Sequence, residues 1–84
     1  MSYVSNASQR VSEYIIGKLE TEEWKPGMRI DTEESMCKSL HISRVAVRQG
    51  VEKLSSLGVL RKIQGSGTYV NKMEDSSLEG LMYY

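Results

Sequence analysis

The chain has 84 residues, of which 39% are hydrophobic and 26% charged, with eleven basic and eleven acidic side chains. This composition is typical of one small folded domain with a modest core, and it excludes a disordered tail or a membrane-spanning protein. The single cysteine, Cys37, has no partner for a disulfide, and the first ten residues carry no secretory signal, so we expect a soluble, cytoplasmic protein.

An apolar stripe near the start of the chain predicts the first helix. Val11, Ile15 and Leu19 recur at four-residue spacing, which indicates a helix from about Ser8 to Glu22. The dipeptide at 26–27, Pro-Gly, then predicts a turn, and residues 28–30 follow it as a short extended segment.

Two helix starts close together predict a helix-turn-helix. Thr32 or Asp31 can cap a second helix that ends near residue 40, and Ser43 can cap a third. The link between these helices is so short that they must cross steeply. His41 in this link is expected to take the left-handed conformation that such a turn requires.

The third helix is predicted from Ser43 to about Leu57, closed by Gly58. Helical periodicity gives it one apolar face, formed by Val47, Gly50, Val51, Leu54 and Leu57. A second face carries Arg44, Val45, Arg48, Gln49 and Glu52, and should point outward. A glycine inside a helix costs about 1 kcal/mol against alanine, so Gly50 indicates a close approach of helix 1 or helix 2.

The last predicted element is a β-hairpin. Two β-prone runs, 59–63 and 68–70, flank a glycine-rich tip, Gln64-Gly65-Ser66-Gly67. The fold class is therefore mainly α with a small β-hairpin: a winged helix-turn-helix of three helices plus a wing, over residues 1–72. Residues 73–84 are expected to form a linker and the start of a further, truncated domain.

Charge is unevenly distributed along this neutral chain. Residues 43–72 hold six basic side chains and one acidic side chain, a net charge of +5, whereas residues 1–42 carry −2 and residues 73–84 carry −3. A basic segment between acidic ones predicts one positive face, which is what a phosphate backbone would meet.

Arg44 and Arg48 are the strongest candidates for contact with double-stranded DNA. An arginine can bond both O6 and N7 of guanine in the major groove, or clamp a phosphate, and spacing by four residues aims both arginines at one surface. The alternative is a solvated face on which Arg48 pairs with Glu52, one turn further on. Such a pair is worth only about 0.5 kcal/mol, too little to decide between the two interpretations.

The remaining candidates surround these arginines. Ser43 caps helix 3 and could also bond a phosphate, Val45 could touch a thymine methyl, and Gln49 could bond adenine. Glycines at the hairpin tip would let the backbone approach DNA closely, although they also satisfy the turn geometry alone. The predicted DNA-binding residues are Ser43, Arg44, Val45, Arg48, Gln49, Arg61, Lys62, Gly65, Ser66, Gly67 and Thr68.

Nothing in the sequence predicts catalysis or a metal site. His41, the one histidine, lies in a turn, and Cys37, the one cysteine, lies beside an apolar helix stripe; residues so placed are far more often structural than catalytic or metal-binding. Nothing in the sequence resembles a nucleophile with a base and an orienting acid. We therefore expect no enzymatic activity, no metal and no cofactor in this domain.

The segments "KPGMRIDTEESMCKSLHISRVAVRQGVEKLSSLGVL" and "IQGSGTYV" resemble the DNA-binding domain of the GntR family of bacterial transcriptional regulators. The resemblance implies that Arg44 and Arg48 contact operator DNA and that the wing at Gly65–Gly67 enters the neighbouring minor groove. It also implies a homodimer, usually a repressor, in which a C-terminal domain binds a small-molecule effector of unknown identity.

Two positions depart from the family pattern. The family usually has a DNA-contacting arginine in the first turn of helix 2, where this chain has Glu34. Threonine and proline are common after the serine-arginine pair, where this chain has Val45 and Ala46. The first departure puts a helix 2 contact in doubt, and the second predicts a different base preference.

The predicted function is sequence-specific binding of double-stranded DNA in transcriptional regulation. Two alternatives remain open. One is a winged helix that serves as a protein-interaction module, with helix 3 packed on a partner. The other is a nucleic-acid binder without sequence preference.

Overall fold

A computed structural model describes the backbone of residues 3–72 and the side chains of residues 7–72. Its elements in chain order are the helices α1 (Tyr3–Glu20), α2 (Glu33–Leu40) and α3 (Arg44–Ser56), followed by the strands β1 (Leu60–Ile63) and β2 (Gly67–Val70). Three helices followed by an antiparallel hairpin confirm the predicted winged helix-turn-helix. The predicted linker and further domain at 73–84 lie outside the described residues.

Helix α1 packs mainly against α3, and its apolar stripe drives that packing. Val11 and Ile15 are fully buried, as their spacing predicted. The helix begins at least five residues before the predicted start and ends two residues before Glu22, because Glu22 adopts a left-handed φ of 63° that turns the chain away. The predicted close approach at Gly50 is made by α1: a Cβ there would lie 2.7 Å from the Cβ of Val11.

Side-chain caps fix the helix-turn-helix. The Thr32 hydroxyl accepts a hydrogen bond from the Ser35 backbone N–H at 3.1 Å, and the Ser43 hydroxyl accepts one from the Ala46 N–H at 3.2 Å. His41 has a φ of 56° and a ψ of 49°, the predicted left-handed conformation. Both predicted N-caps are confirmed, so local sequence chemistry sets where α3 begins.

Residues 28–30 form an additional edge beside the wing. The Ile30 N–H donates to the Thr68 carbonyl at 2.9 Å, the Val70 N–H donates to the Met28 carbonyl at 2.8 Å, and Arg29 is paired with Tyr69 across this edge. The wing is therefore anchored on both sides of β2, since β1 pairs with its other edge from Leu60↔Val70 to Ile63↔Gly67.

An aromatic contact ties the start of α2 to α1. The Tyr14 hydroxyl donates to the Asp31 carboxylate at 2.8 Å, and its ring meets that of buried Trp24 edge-on, with centroids 5.9 Å apart. Burial, assisted by the hydrogen bond to Asp31, raises the pKa of Tyr14 above its ordinary value. The Tyr14 hydrogen bond thus links α1 to the residues that precede α2.

One core joins all of these elements. Its buried hydrophobic members are Val11, Ile15, Trp24, Ile30, Met36, Ile42, Ala46, Val47, Val51, Leu54, Val59, Leu60 and Val70. The prediction that Leu57 faces this core is wrong: its side chain is 49% exposed. Leu57 is the C-cap of α3, and the next residue, Gly58, turns the chain away with a φ of 83°, so Leu57 lies at the surface where the helix ends. Of the described helices, none combines the length and apolarity needed to cross a bilayer.

Candidate nucleic-acid interface

Helix α3 divides into a buried face and an exposed face. Ala46, Val47, Gly50, Val51 and Leu54 are buried against the core. Opposite them, an exposed surface is formed by Ser43, Arg44, Val45, Arg48 and Gln49. Because burying the apolar face removes it from water, the rotation of the helix is fixed and the two arginines must face outward. We call these five exposed residues the α3 surface.

The two arginines of the α3 surface differ in their partners. Arg48 donates from Nε to the Glu33 carboxylate at 3.1 Å, while its side chain remains 61% exposed. The alternative in which Arg48 pairs with Glu52 is wrong, because Glu52 accepts a hydrogen bond from Lys62 at 2.8 Å instead. This bond from Lys62 lowers the pKa of the Glu52 carboxyl. Within residues 7–72, the Arg44 side chain makes neither a hydrogen bond nor an ion pair.

An open cleft of about 640 Å³ separates the start of α3 from the wing, and we call it the wing cleft. It brings together several predicted site residues: Arg44 on the helix side, with Lys62, Gly65, Ser66, Gly67 and Thr68 on the wing side. Arg29, Asp31, Glu33 and Glu34 also line it. Glu33 pairs with Arg48, Glu34 lies 3.5 Å from Lys38, and Asp31 accepts a hydrogen bond from the Tyr14 hydroxyl.

Arg61 is not brought to this cleft. Successive side chains of a strand point to opposite faces, so Arg61 and Lys62 of β1 diverge. Lys62 turns toward α3, whereas Arg61 lines a shallow depression on the other side of the hairpin with Gly27, Tyr69 and Lys72. The structure thus separates two basic side chains, Arg61 and Lys62, that the sequence prediction placed in one group.

Arg29 and Glu33 are candidate site residues that the sequence interpretation missed. Arg29 lies against the wing: a Cβ added at Gly67 would be 2.7 Å from its Nε atom, and Gly67 has a φ of 145° that favours glycine. In the sequence, Glu33 is fully explained as an acidic residue in the first turn of a helix. Its contact with Arg48, fifteen residues later, is therefore not expected from the sequence. No sequence signal marks either contact, because both depend on how the elements pack.

The described part of the chain has no cluster of side chains that could bind a metal ion. Among residues 7–72, no three His, Cys, Asp or Glu side chains are grouped as a metal ion would require. Cys37 is a free, partly buried thiol that packs against the core.

The chain is similar to known regulators in sequence. Residues 7–70 match the family model described as bacterial regulatory proteins, gntR family. The mannosyl-D-glycerate transport/metabolism system repressor MngR of Escherichia coli is 36% identical over 64 residues, which cover 76% of this chain and 27% of MngR. The HTH-type transcriptional regulator LutR of Bacillus subtilis is 36% identical over 52 residues, 62% of this chain and 24% of LutR. The chain thus spans about a quarter of these regulators.

Solved structures share the fold. The DNA-binding domain of AraR, solved in complex with operator ORR3, is 30% identical with a TM-score of 0.74, covering 76% of this chain and 77% of that one. A GntR family transcriptional regulator from Listeria monocytogenes has a TM-score of 0.78 at 14% identity, covering 90% of this chain and 66% of that chain. At that identity, the second likeness concerns the fold alone.

Proposed function

Because the chain belongs to the gntR family of bacterial regulatory proteins, we propose that it binds double-stranded DNA sequence-specifically and regulates transcription. In this proposal the α3 surface enters the major groove, and the tip of the wing lies in the adjacent minor groove. The proposal contains no catalytic step, and the relatives that it rests on are regulators and repressors.

The exposure of the α3 surface is the observation that carries the proposal. Arg44 has no partner among the described residues, and the hydrogen bond of Arg48 occupies only its Nε–H group. A guanidinium has four further N–H donors on its terminal nitrogens, enough to bond O6 and N7 of guanine. The similarity to an AraR domain solved in complex with operator DNA supports DNA binding by this domain.

Dimerisation and effector control extend the proposal to the whole protein. A two-fold dimer would place two α3 helices on an inverted repeat, with half-sites about one helical turn apart or less. A single domain neutralises few phosphates, so its own affinity should be low. Regulation would be by repression, as named for several relatives, and control by a small molecule would belong to a further C-terminal domain.

Selection of bound duplexes from a random pool tests this proposal directly. With the full-length protein, we expect enrichment of an inverted repeat, which would establish specificity and symmetry together. Enrichment of no sequence would contradict specific binding. A protein-interaction module would differ in its response to salt: DNA affinity falls steeply between 50 and 200 mM salt, by roughly a thousandfold or more for six or more phosphate contacts, whereas an apolar protein interface barely responds.

Glu33 should act as a positioning residue for Arg48. In Glu33→Gln the charge that holds the guanidinium is lost, so we expect discrimination at the base pair below Arg48 to fall by about two- to fivefold, the worth of one exposed ion pair. Binding to unrelated duplexes should rise, since one negative charge is removed from the interface. Competition binding with single-base operator variants measures both effects.

Glu34→Gln is the matched control for this prediction. It removes the same charge one residue away, from a carboxylate that pairs with Lys38 and not with α3. It should strengthen binding to every duplex equally and leave base discrimination unchanged. Equal discrimination by the two variants would contradict the positioning role of Glu33.

A further inference from the structure

We propose that Arg29 is a third DNA-contacting arginine, and that it binds the sugar-phosphate ridge between the groove entered by α3 and the groove entered by the wing. This inference rests on the proposed DNA binding. Arg29 precedes α2, on the extended edge that pairs with β2, and it was not among the residues expected to contact DNA.

The shape of the wing cleft is the first reason for this assignment. Arg44 lies on one side of the cleft, and the wing backbone from Gly65 to Thr68 lies on the other. Suppose that α3 occupies a major groove and the wing occupies the next minor groove. The DNA strand whose sugar-phosphate backbone separates those two grooves must then pass between α3 and the wing. That strand presents phosphates, so a cation lining the cleft would face anionic oxygens.

Free positive charge is the second reason. Arg29 and Lys62 line the cleft on the wing side, but Lys62 is committed to Glu52 at 2.8 Å. Arg29 is exposed, and within residues 7–72 its side chain makes neither a hydrogen bond nor an ion pair. Three acidic residues also line the cleft: Glu33 and Glu34 have their own cationic partners, and Asp31 accepts a hydrogen bond from the Tyr14 hydroxyl. Arg29 and Arg44 are therefore the cations of the cleft whose side chains have no partner among the described residues.

Gly67 supplies the third reason, because it determines where the Arg29 side chain lies. A Cβ at Gly67 would come within 2.7 Å of Nε and 3.4 Å of Cζ of Arg29. The guanidinium therefore lies directly against the wing backbone, at a place that only glycine leaves open. The wing and Arg29 would therefore meet the DNA together.

The salt dependence of operator affinity tests this assignment in the full-length protein. Loss of one phosphate contact should reduce the slope of log K against log salt by about 0.9 per half-site, so we expect this in Arg29→Ala and in Arg29→Gln. Arg29→Lys keeps the charge and should retain most of the slope. Base preferences should remain those of the unaltered protein in all three variants, because a phosphate contact carries no sequence information.

Lys25→Ala is the matched control, since it removes the same charge from an exposed residue of the preceding turn that does not line the cleft. Equal slopes for Arg29→Ala and Lys25→Ala would overturn the inference, as would altered base preference in Arg29→Ala. Stabilisation by inorganic phosphate alone that Arg29→Ala abolishes would identify a small-anion site and also overturn it. If the unaltered protein selects no duplex, the proposed function itself fails, which is a distinguishable result.

Discussion

Replacement of Gly50 by leucine should lower the thermal midpoint of unfolding by about 4–24 °C. A Cβ at this position would lie 2.7 Å from Cβ and Cγ1 of Val11 and 2.9 Å from the backbone oxygen of Ser8. Backbone cannot rotate away as a flexible side chain can, so α1 and α3 must separate. Overpacking of this kind costs about 1–3 kcal/mol or more, and each kcal/mol shifts the midpoint of so small a domain by about 4–8 °C.

Gly50→Ala and Gly17→Ala make the comparison quantitative. Alanine gains about 1 kcal/mol over glycine in a helix interior, so Gly17→Ala should stabilise the domain, because nothing lies within 4 Å of the added Cβ. Gly50→Ala receives the same propensity gain but meets α1, so its midpoint should fall below that of Gly17→Ala. Circular dichroism melts measure all three variants. Equal stabilisation by both alanines would contradict close packing at Gly50.

Local chemistry explains why so much of this fold could be predicted from the sequence. The caps at Thr32 and Ser43, the left-handed His41 and the glycine after α3 each depend on residues within a few positions, and the structure confirms them. Periodicity likewise placed Val11 and its neighbours in the core. The errors at the end of α1 and at Leu57 both occur where a helix gives way to a residue with positive φ, Glu22 in the first case and Gly58 in the second.

The site was less predictable because its contacts join distant elements. Exposure of the α3 surface follows from periodicity alone, but the partner of Arg48 does not: Glu33 and Glu52 are both acidic, and the crossing of α2 with α3 selects Glu33. Likewise, Arg29 lies against Gly67 only because the extended residues 28–30 pair with β2. Strand alternation could have separated Arg61 from Lys62, and that signal was available in the sequence.

The largest functional effect is expected from Arg44→Ala in the full-length protein. Arg44 is the exposed arginine at the start of α3 without a partner in residues 7–72, so no internal contact competes with DNA. A bidentate contact to guanine is worth about 1–3 kcal/mol of discrimination, which corresponds to about 5- to 150-fold per half-site. Arg44→Ala should therefore lose this much discrimination at one base position of the operator, and it should also bind more weakly overall. Titration against single-base operator variants measures it.

Two further variants separate base recognition from simple charge. Arg44→Lys keeps the positive charge but lacks the planar fork, so it should retain affinity for unrelated duplexes while losing most of the discrimination. Lys53→Ala removes a cation from the same helix. Because Lys53 follows Arg44 by nine residues, it lies about half a turn away, on the opposite side of the helix, so the preferred base should remain unchanged. Equal weakening of every duplex in Arg44→Ala would instead identify a binder without sequence preference. In that case the arginine would hold a phosphate, and the specificity assigned to α3 would have to be withdrawn.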